Sequence, residues 1–118
     1  MEQLFSKLKE YLHMDAEIPF EEFSDYYKQV ISKLNGGFSE FDRRSCLQAR
    51  YICAIVQANA DSRAKRSKAN AKAYKKMAAK CAFWLDAINY RLVKEGLSQA
   101  EIEQALAAIS EEVDAQPA

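Results

Sequence analysis

Glycine, proline, histidine and long apolar runs are all scarce in this chain, and each shortage removes a class of protein. Three glycines, at positions 36, 37 and 96, leave no Gly-rich loop to cradle a phosphate. Two prolines leave most of the sequence free to wind as helix. A single histidine, His13, cannot supply a multi-histidine metal site from one copy. Three cysteines, an odd number and without a Cys-x-x-Cys pair, fit free thiols in a reducing, cytoplasmic setting. No run of about eighteen apolar residues occurs, so neither a transmembrane helix nor a membrane partner is expected. The N-terminus, Met-Glu-Gln-Leu-Phe-Ser-Lys-Leu-Lys, alternates charge and lacks the apolar core of a secretory signal.

The 118 residues balance 17 acidic against 17 basic side chains, but the signs are segregated. Residues 1–42 hold nine acidic and four basic groups, and residues 43–94 hold thirteen basic and two acidic. Residues 95–118 hold six acidic groups and no basic one. Acidic end helices that neutralise a basic middle are the plain explanation; a basic middle that faces a polyanion is the functional one.

Helical periodicity dominates the chain, and no strand-like alternation interrupts it. Leu4, Phe5, Leu8, Tyr11 and Leu12 mark a first helix over residues 2–13. Pro19 suits the first turn of a second helix, whose stripe is Phe20, Phe23, Tyr27, Val30, Ile31 and Leu34. Asn35-Gly36-Gly37 is expected to end it in a left-handed cap, and Ser39 to cap a third helix carrying Phe41, Leu47, Tyr51, Ile52, Ile55 and Val56. Between Gln57 and Ala73 the only apolar residues are alanines.

From Tyr74 the apolar signal returns at 4-3-4-3-4 spacing through Ala78, Cys81, Leu85, Ile88 and Leu92, a heptad seam. With Phe83, Trp84 and Tyr90, the segment Cys81–Val93 is apolar nearly all round and predicts a central helix covered on every side. A single helix over 39–95 would run roughly 85 Å, long for so small a domain. The favoured reading is two helices turning within Asn59-Ala60-Asp61-Ser62, whose side chains compete for backbone hydrogen bonds. Gly96 then closes the helix, and Ser98-Gln99-Ala100-Glu101 reads as a capping box. It opens a last helix with Ile102, Ala105, Leu106, Ile109 and Val113, ahead of a frayed tail at 114–118.

The expected fold is therefore all-α: one domain over residues 1–118, an antiparallel bundle of about five helices with one or two long central helices. Its sharpest functional signal is the basic run 63–80. Lys65, Lys68, Lys72, Lys76 and Lys80 share one helical arc, a candidate nucleic-acid face, with a solvated or internally paired face as the plain alternative. Few arginines accompany them, and the neighbouring aromatics read as core.

Other constellations are weaker. Glu10 and His13 have the Glu-x-x-His spacing of di-metal bundles, but one copy needs more ligands; His13 reads more simply as a dipole partner at a helix end. Cys46 and Cys53 share a face and read as buried thiols. Cys–His catalysis by Cys81 with His13 is formally possible, but nothing further in the sequence supports it. Asn89, at the seam's edge, reads as a register-fixing polar group if buried. No catalytic, cofactor or metal site is assigned. The favoured function is a non-catalytic, cytoplasmic interaction or regulatory module, self-associating because Tyr26, Phe38 and Phe83 look like surplus apolar surface. The rival is nucleic-acid binding through the lysine face.

Overall fold

The computed structural model describes residues 1–115, and these form an all-α bundle. Its helices are α1 (Glu2–Leu12), α2 (Phe20–Gly37), α3 (Arg43–Arg66), α4 (Ala71–Lys94) and α5 (Gln99–Ala115), with a 3₁₀ turn at Phe38–Glu40. The α3–α4 hairpin is the axis: two 24-residue helices, each roughly 36 Å long. The other three helices pack around them within a 43 × 31 × 24 Å envelope.

The seam on α4 lies where its heptad spacing places it. Tyr74, Ala78, Cys81, Ile88 and Leu92 are buried, and Trp84 joins them; Leu85 sits at the edge, half-buried. The facing seam on α3 is Cys46, Ala49, Cys53, Val56 and Ala60, all buried at alternating three- and four-residue steps. Small side chains there let the two helices approach closely. Cys53 and Cys81 meet across the interface and share a hydrogen bond; that bond and their burial push the Cys53 thiol far above its ordinary value.

The break between the long helices falls at Ser67–Asn70, not at Asn59–Ser62. Ala60 is fully buried, so a stretch poor in large apolar residues still belongs to the core. Asn59 does compete for the backbone, but its Nδ2 donates to the Ile55 carbonyl at 2.9 Å within the helix and leaves the helix unbroken. At the true turn the Ser67 Oγ accepts the Asn70 N–H at 3.3 Å.

The α2–α3 corner also departs from expectation. Neither Gly36 nor Gly37 is left-handed, since Gly96 alone among the described residues has positive φ. Instead α2 runs through Gly37 into the 3₁₀ turn, and Asp42, not Ser39, caps α3 by accepting the Ser45 N–H at 2.8 Å. The corner is clamped from α4: the Arg91 guanidinium donates to the carbonyls of Phe38 and Phe41. The α4 terminus and the start of α5 follow the sequence closely. Gly96, with φ of 107°, closes α4 in a Schellman pattern: its N–H reaches the Val93 carbonyl and the Leu97 N–H reaches that of Leu92. The Ser98–Glu101 capping box forms in both directions, at 3.0 and 3.1 Å. Helix α5 continues through Asp114 and Ala115, so fraying does not begin at 114; positions 116–118 of the expected tail lie outside the described residues.

Polar contacts fix the remaining helices. Tyr26 donates to the Leu4 carbonyl at 2.7 Å, joining α2 to α1. His13 Nε2 meets the Val113 carbonyl at 2.8 Å, joining the end of α1 to α5. Arg50 Nε donates to Asn89 Oδ1 at 2.9 Å across the α3–α4 pair, so Asn89, half-buried at the seam's edge, has a partner on the facing helix. Because Ile88 is fully buried and Leu85 only partly, Ile88→Ala should destabilise by about 2–5 kcal/mol and Leu85→Ala by less, as measured by urea denaturation of both proteins.

Candidate functional site

The outer face of α4 gathers the exposed features that the fold does not use. Opposite the seam, at 100° per residue, Lys72, Lys76, Phe83, Tyr90 and Lys94 lie on one narrow stripe, flanked by Lys75, Lys80 and Val93. Phe83 is 58% exposed, Tyr90 68% and Val93 54%. A helix expected to be covered all round therefore has one open side. Of the three aromatics read as surplus, only Phe83 is exposed; Tyr26 is buried, and Phe38 packs edge-on against Trp84 at 5.2 Å.

The lysine face is not one helical arc. The turn at 67–70 divides it, so Lys65 belongs to α3, Lys68 to the turn, and Lys72, Lys76 and Lys80 to α4. All five are exposed. The two arginines of the run leave it: Arg63 is buried, and Arg66 is held bidentately by Glu17 at 2.8 and 3.1 Å.

Charge neutralisation divides by residue type. Arginines carry it between helices: Arg44 bridges Glu112 at 3.0 Å and Glu2 at 3.5 Å, and Arg43 reaches Glu95, as Arg91 does within its own turn, while Lys7 pairs only locally with Glu10. Among the described residues no ion pair reaches Lys65, Lys68, Lys72, Lys75, Lys76 or Lys80. Two lysines of the stripe sit over its exposed rings instead, Lys80 5.4 Å from the Phe83 centroid and Lys94 5.7 Å from that of Tyr90.

The complementary surface is on α5. That helix carries five carboxylates and no base, and its outward side presents Ala100, Gln104, Ala107 and Glu111, with Glu103 and Asp114 alongside, all exposed. Only Glu112, on its inner edge, is tied to Arg44.

The residues weighed for chemistry do not converge. All three cysteines are buried and free. Glu10 pairs with Lys7 at 3.4 Å, while His13 holds the α5 carbonyl. Among the described residues no three His, Cys, Asp or Glu side chains are grouped to hold a metal. A broad groove of about 1180 Å³ runs between α1, α2 and the start of α3, with mixed polar walls. A smaller cavity of about 230 Å³ lies beneath the α1–α2 loop. Searches of family models, curated proteins and solved structures find no match to this chain.

Four carboxylates are held below their ordinary values by the contacts that shape the molecule: Glu17 by the hydrogen bond from Arg66, Asp42 by the Ser45 N–H, Glu101 by the Ser98 N–H and Glu112 by Arg44. Depressed folded values mean that the ionised groups favour the fold. Their contribution is complete above the ordinary values of 3.8 for Asp and 4.5 for Glu and is lost as pH falls through the lower folded ones. Urea midpoints should therefore drop steadily from about pH 4.5 to about pH 3; a midpoint that rises over that interval contradicts these assignments.

Proposed function

We propose that this protein is a non-catalytic, cytoplasmic interaction module that associates with further copies of itself through the outer face of α4. The observation that carries this is the exposed Phe83–Tyr90–Val93 patch set among lysines that no carboxylate pairs among the described residues. Apolar surface of this kind on a small domain marks an interaction site. A non-catalytic role fits the side chains best suited to nucleophilic chemistry, because the thiols are buried and His13 is spent on a structural bond. Buried free thiols also fit a reducing compartment.

The chain carries a surface that suits this face. On α4, Phe83 and Tyr90 are seven residues apart; on α5, Ala107 and Ala100 are seven apart and leave room for two rings. With the helices antiparallel, Phe83 meets Ala107 and Tyr90 meets Ala100. The same register sets Lys76 near Asp114 and Lys80 near Glu111, and it keeps Asp86 beside the neutral Gln104. A parallel register instead opposes Asp86 to Glu103. The contact joins two different faces, so it closes into a ring or a pair only where symmetry allows.

Sedimentation equilibrium at micromolar concentration should give a dimer or larger species, weakened by salt, and Phe83→Ser with Tyr90→Ser should return a 13.4 kDa monomer with unchanged helicity. A wild-type monomer at high concentration removes this reading.

The unpaired lysines support a second reading, in which Lys65, Lys68, Lys72, Lys76 and Lys80 hold a nucleic-acid backbone, with Phe83 and Tyr90 beside them as stacking rings. Each phosphate contact on duplex DNA adds about −0.9 to the slope of log affinity against log salt. Three to five contacts give a slope of roughly −3 to −4.5. Negligible binding at physiological salt, by wild type and by Lys72→Glu/Lys76→Glu alike, excludes it.

A further inference from the structure

Arg63 is the one residue of the basic run that points into the protein, and the fold does not satisfy it. Its side chain is 7% exposed. Its Nη1 donates to the Tyr74 hydroxyl at a long 3.3 Å, and its guanidinium stacks 4.4 Å from the Phe23 centroid. Its Nε–H has no acceptor; among the described residues only Trp84 Nε1 shares that condition. Aromatic faces stabilise a cation, but they do not replace the hydrogen bond that a buried N–H gives up on leaving water.

Among the described residues no carboxylate neutralises this charge at ion-pair distance. Glu17 is near enough for Arg63 to help lower its pKa, but the larger cause is the hydrogen bond from Arg66, which engages both Glu17 oxygens. The neighbouring polar side chains of the cavity wall spend their donors elsewhere, and none of their oxygens accepts from Arg63. Tyr11 donates to Glu22 at 2.9 Å, Tyr26 to the Leu4 carbonyl, and Asn59 to the Ile55 carbonyl.

The unsatisfied cation lines the 230 Å³ cavity beneath the α1–α2 loop. Leu8, Ile18, Phe23, Ile55 and Val56 supply most of its apolar wall. Leu12 and Met14, 41% and 50% exposed, stand at the loop side, with Asp15 and Glu17 beside them. A mostly apolar space with one guanidinium in its wall, and no carboxylate at ion-pair distance from that guanidinium, suits a molecule with an apolar body and a single anionic head. A cavity of about 150 Å³ accommodates benzene, so this one suits a single ring or a chain of roughly eight carbons. The acidic loop residues at the rim disfavour a more highly charged ligand.

We infer that the cavity under the α1–α2 loop is a binding site for a small amphipathic monocarboxylate, with Arg63 holding the carboxylate and the α1–α2–α3 wall holding the tail. The site is separate from the outer face of α4, so it does not depend on the self-association reading.

Octanoate and its neutral counterpart octan-1-ol separate charge recognition from simple filling of an apolar hole. In calorimetric titrations of the wild-type protein, octanoate should bind saturably and octan-1-ol more weakly by about tenfold or more, the usual worth of a charge-assisted hydrogen bond. Arg63→Met keeps the side chain's apolar bulk and should remove that preference without weakening octan-1-ol. Ile55→Trp should fill the cavity and abolish both, with Arg63 still in place. Octanoate should also raise the melting temperature of wild type, as a ligand of the folded state must. Equal affinity for the two probes in wild type, or no saturable octanoate binding at millimolar concentration, overturns the inference. Because the octanoate–octanol comparison uses only wild type, it decides the matter even if Arg63→Met fails to fold.

Discussion

Close packing of small side chains along the α3–α4 seam is the constraint on which the molecule depends. Ala49, Cys53 and Ala60 on one helix face Ala78 and Cys81 on the other, and this brings two long helices near enough for Ile52, Val56, Ile88 and Leu92 to fill the remaining space. Interiors packed to crystalline density tolerate neither voids nor excess bulk, so the pair behaves as one rigid element. The rest is fastened to it. Arg91 reaches from α4 to hold the α2–α3 corner, Phe23 and Phe20 dock edge-on against Tyr74, and α5 lies along α3 with Glu112 on Arg44. With its inner side committed in this way, α4 turns Phe83 and Tyr90 outward.

Wherever large apolar residues mark the period, the architecture could be read from the sequence. The Gly96 stop and the Ser98–Glu101 box needed only spacing and local chemistry and are present as read; the α4 heptad is buried except at half-buried Leu85, but the expected all-round cover of α4 fails, because Phe83, Tyr90 and Val93 face solvent. The α3–α4 turn was misplaced because alanine carries little hydrophobic signal although Ala60 belongs to the core, and because Asn59 can satisfy its side chain inside a helix. Arg63 was hidden for a related reason. In sequence it looks like one more cation in a basic run; in the fold its position on α3 continues the buried row from Val56 and Ala60. Its capture between Phe23 and Tyr74 involves residues 40 and 11 positions away, which no local pattern reveals. The Arg91 clamp on the α2–α3 corner is likewise a long-range contact.

Charge segregation has two outcomes in this molecule. Guanidinium groups, with their forked geometry, draw the acidic helices onto the scaffold: α1 and α5 through Arg44, the α1–α2 loop through Arg66. The ammonium groups on α4 remain outside this network, and α5 keeps carboxylates of its own directed to solvent. A chain with no net charge thus presents one basic, ring-bearing helix face and one acidic, alanine-lined face. Opposed faces of this kind steer association and disfavour mismatched partners. The central proposal follows from that pairing, with α4 of one copy lying antiparallel on α5 of another.

Isotope-filtered nuclear Overhauser spectroscopy on a mixture of labelled and unlabelled protein tests this most directly. The account predicts intermolecular cross-peaks from the Phe83 ring to the Ala107 methyl and from the Tyr90 ring to the Ala100 methyl. An associated protein whose intermolecular cross-peaks join α4 rings only to α4 rings, or leave both helices untouched, would contradict it.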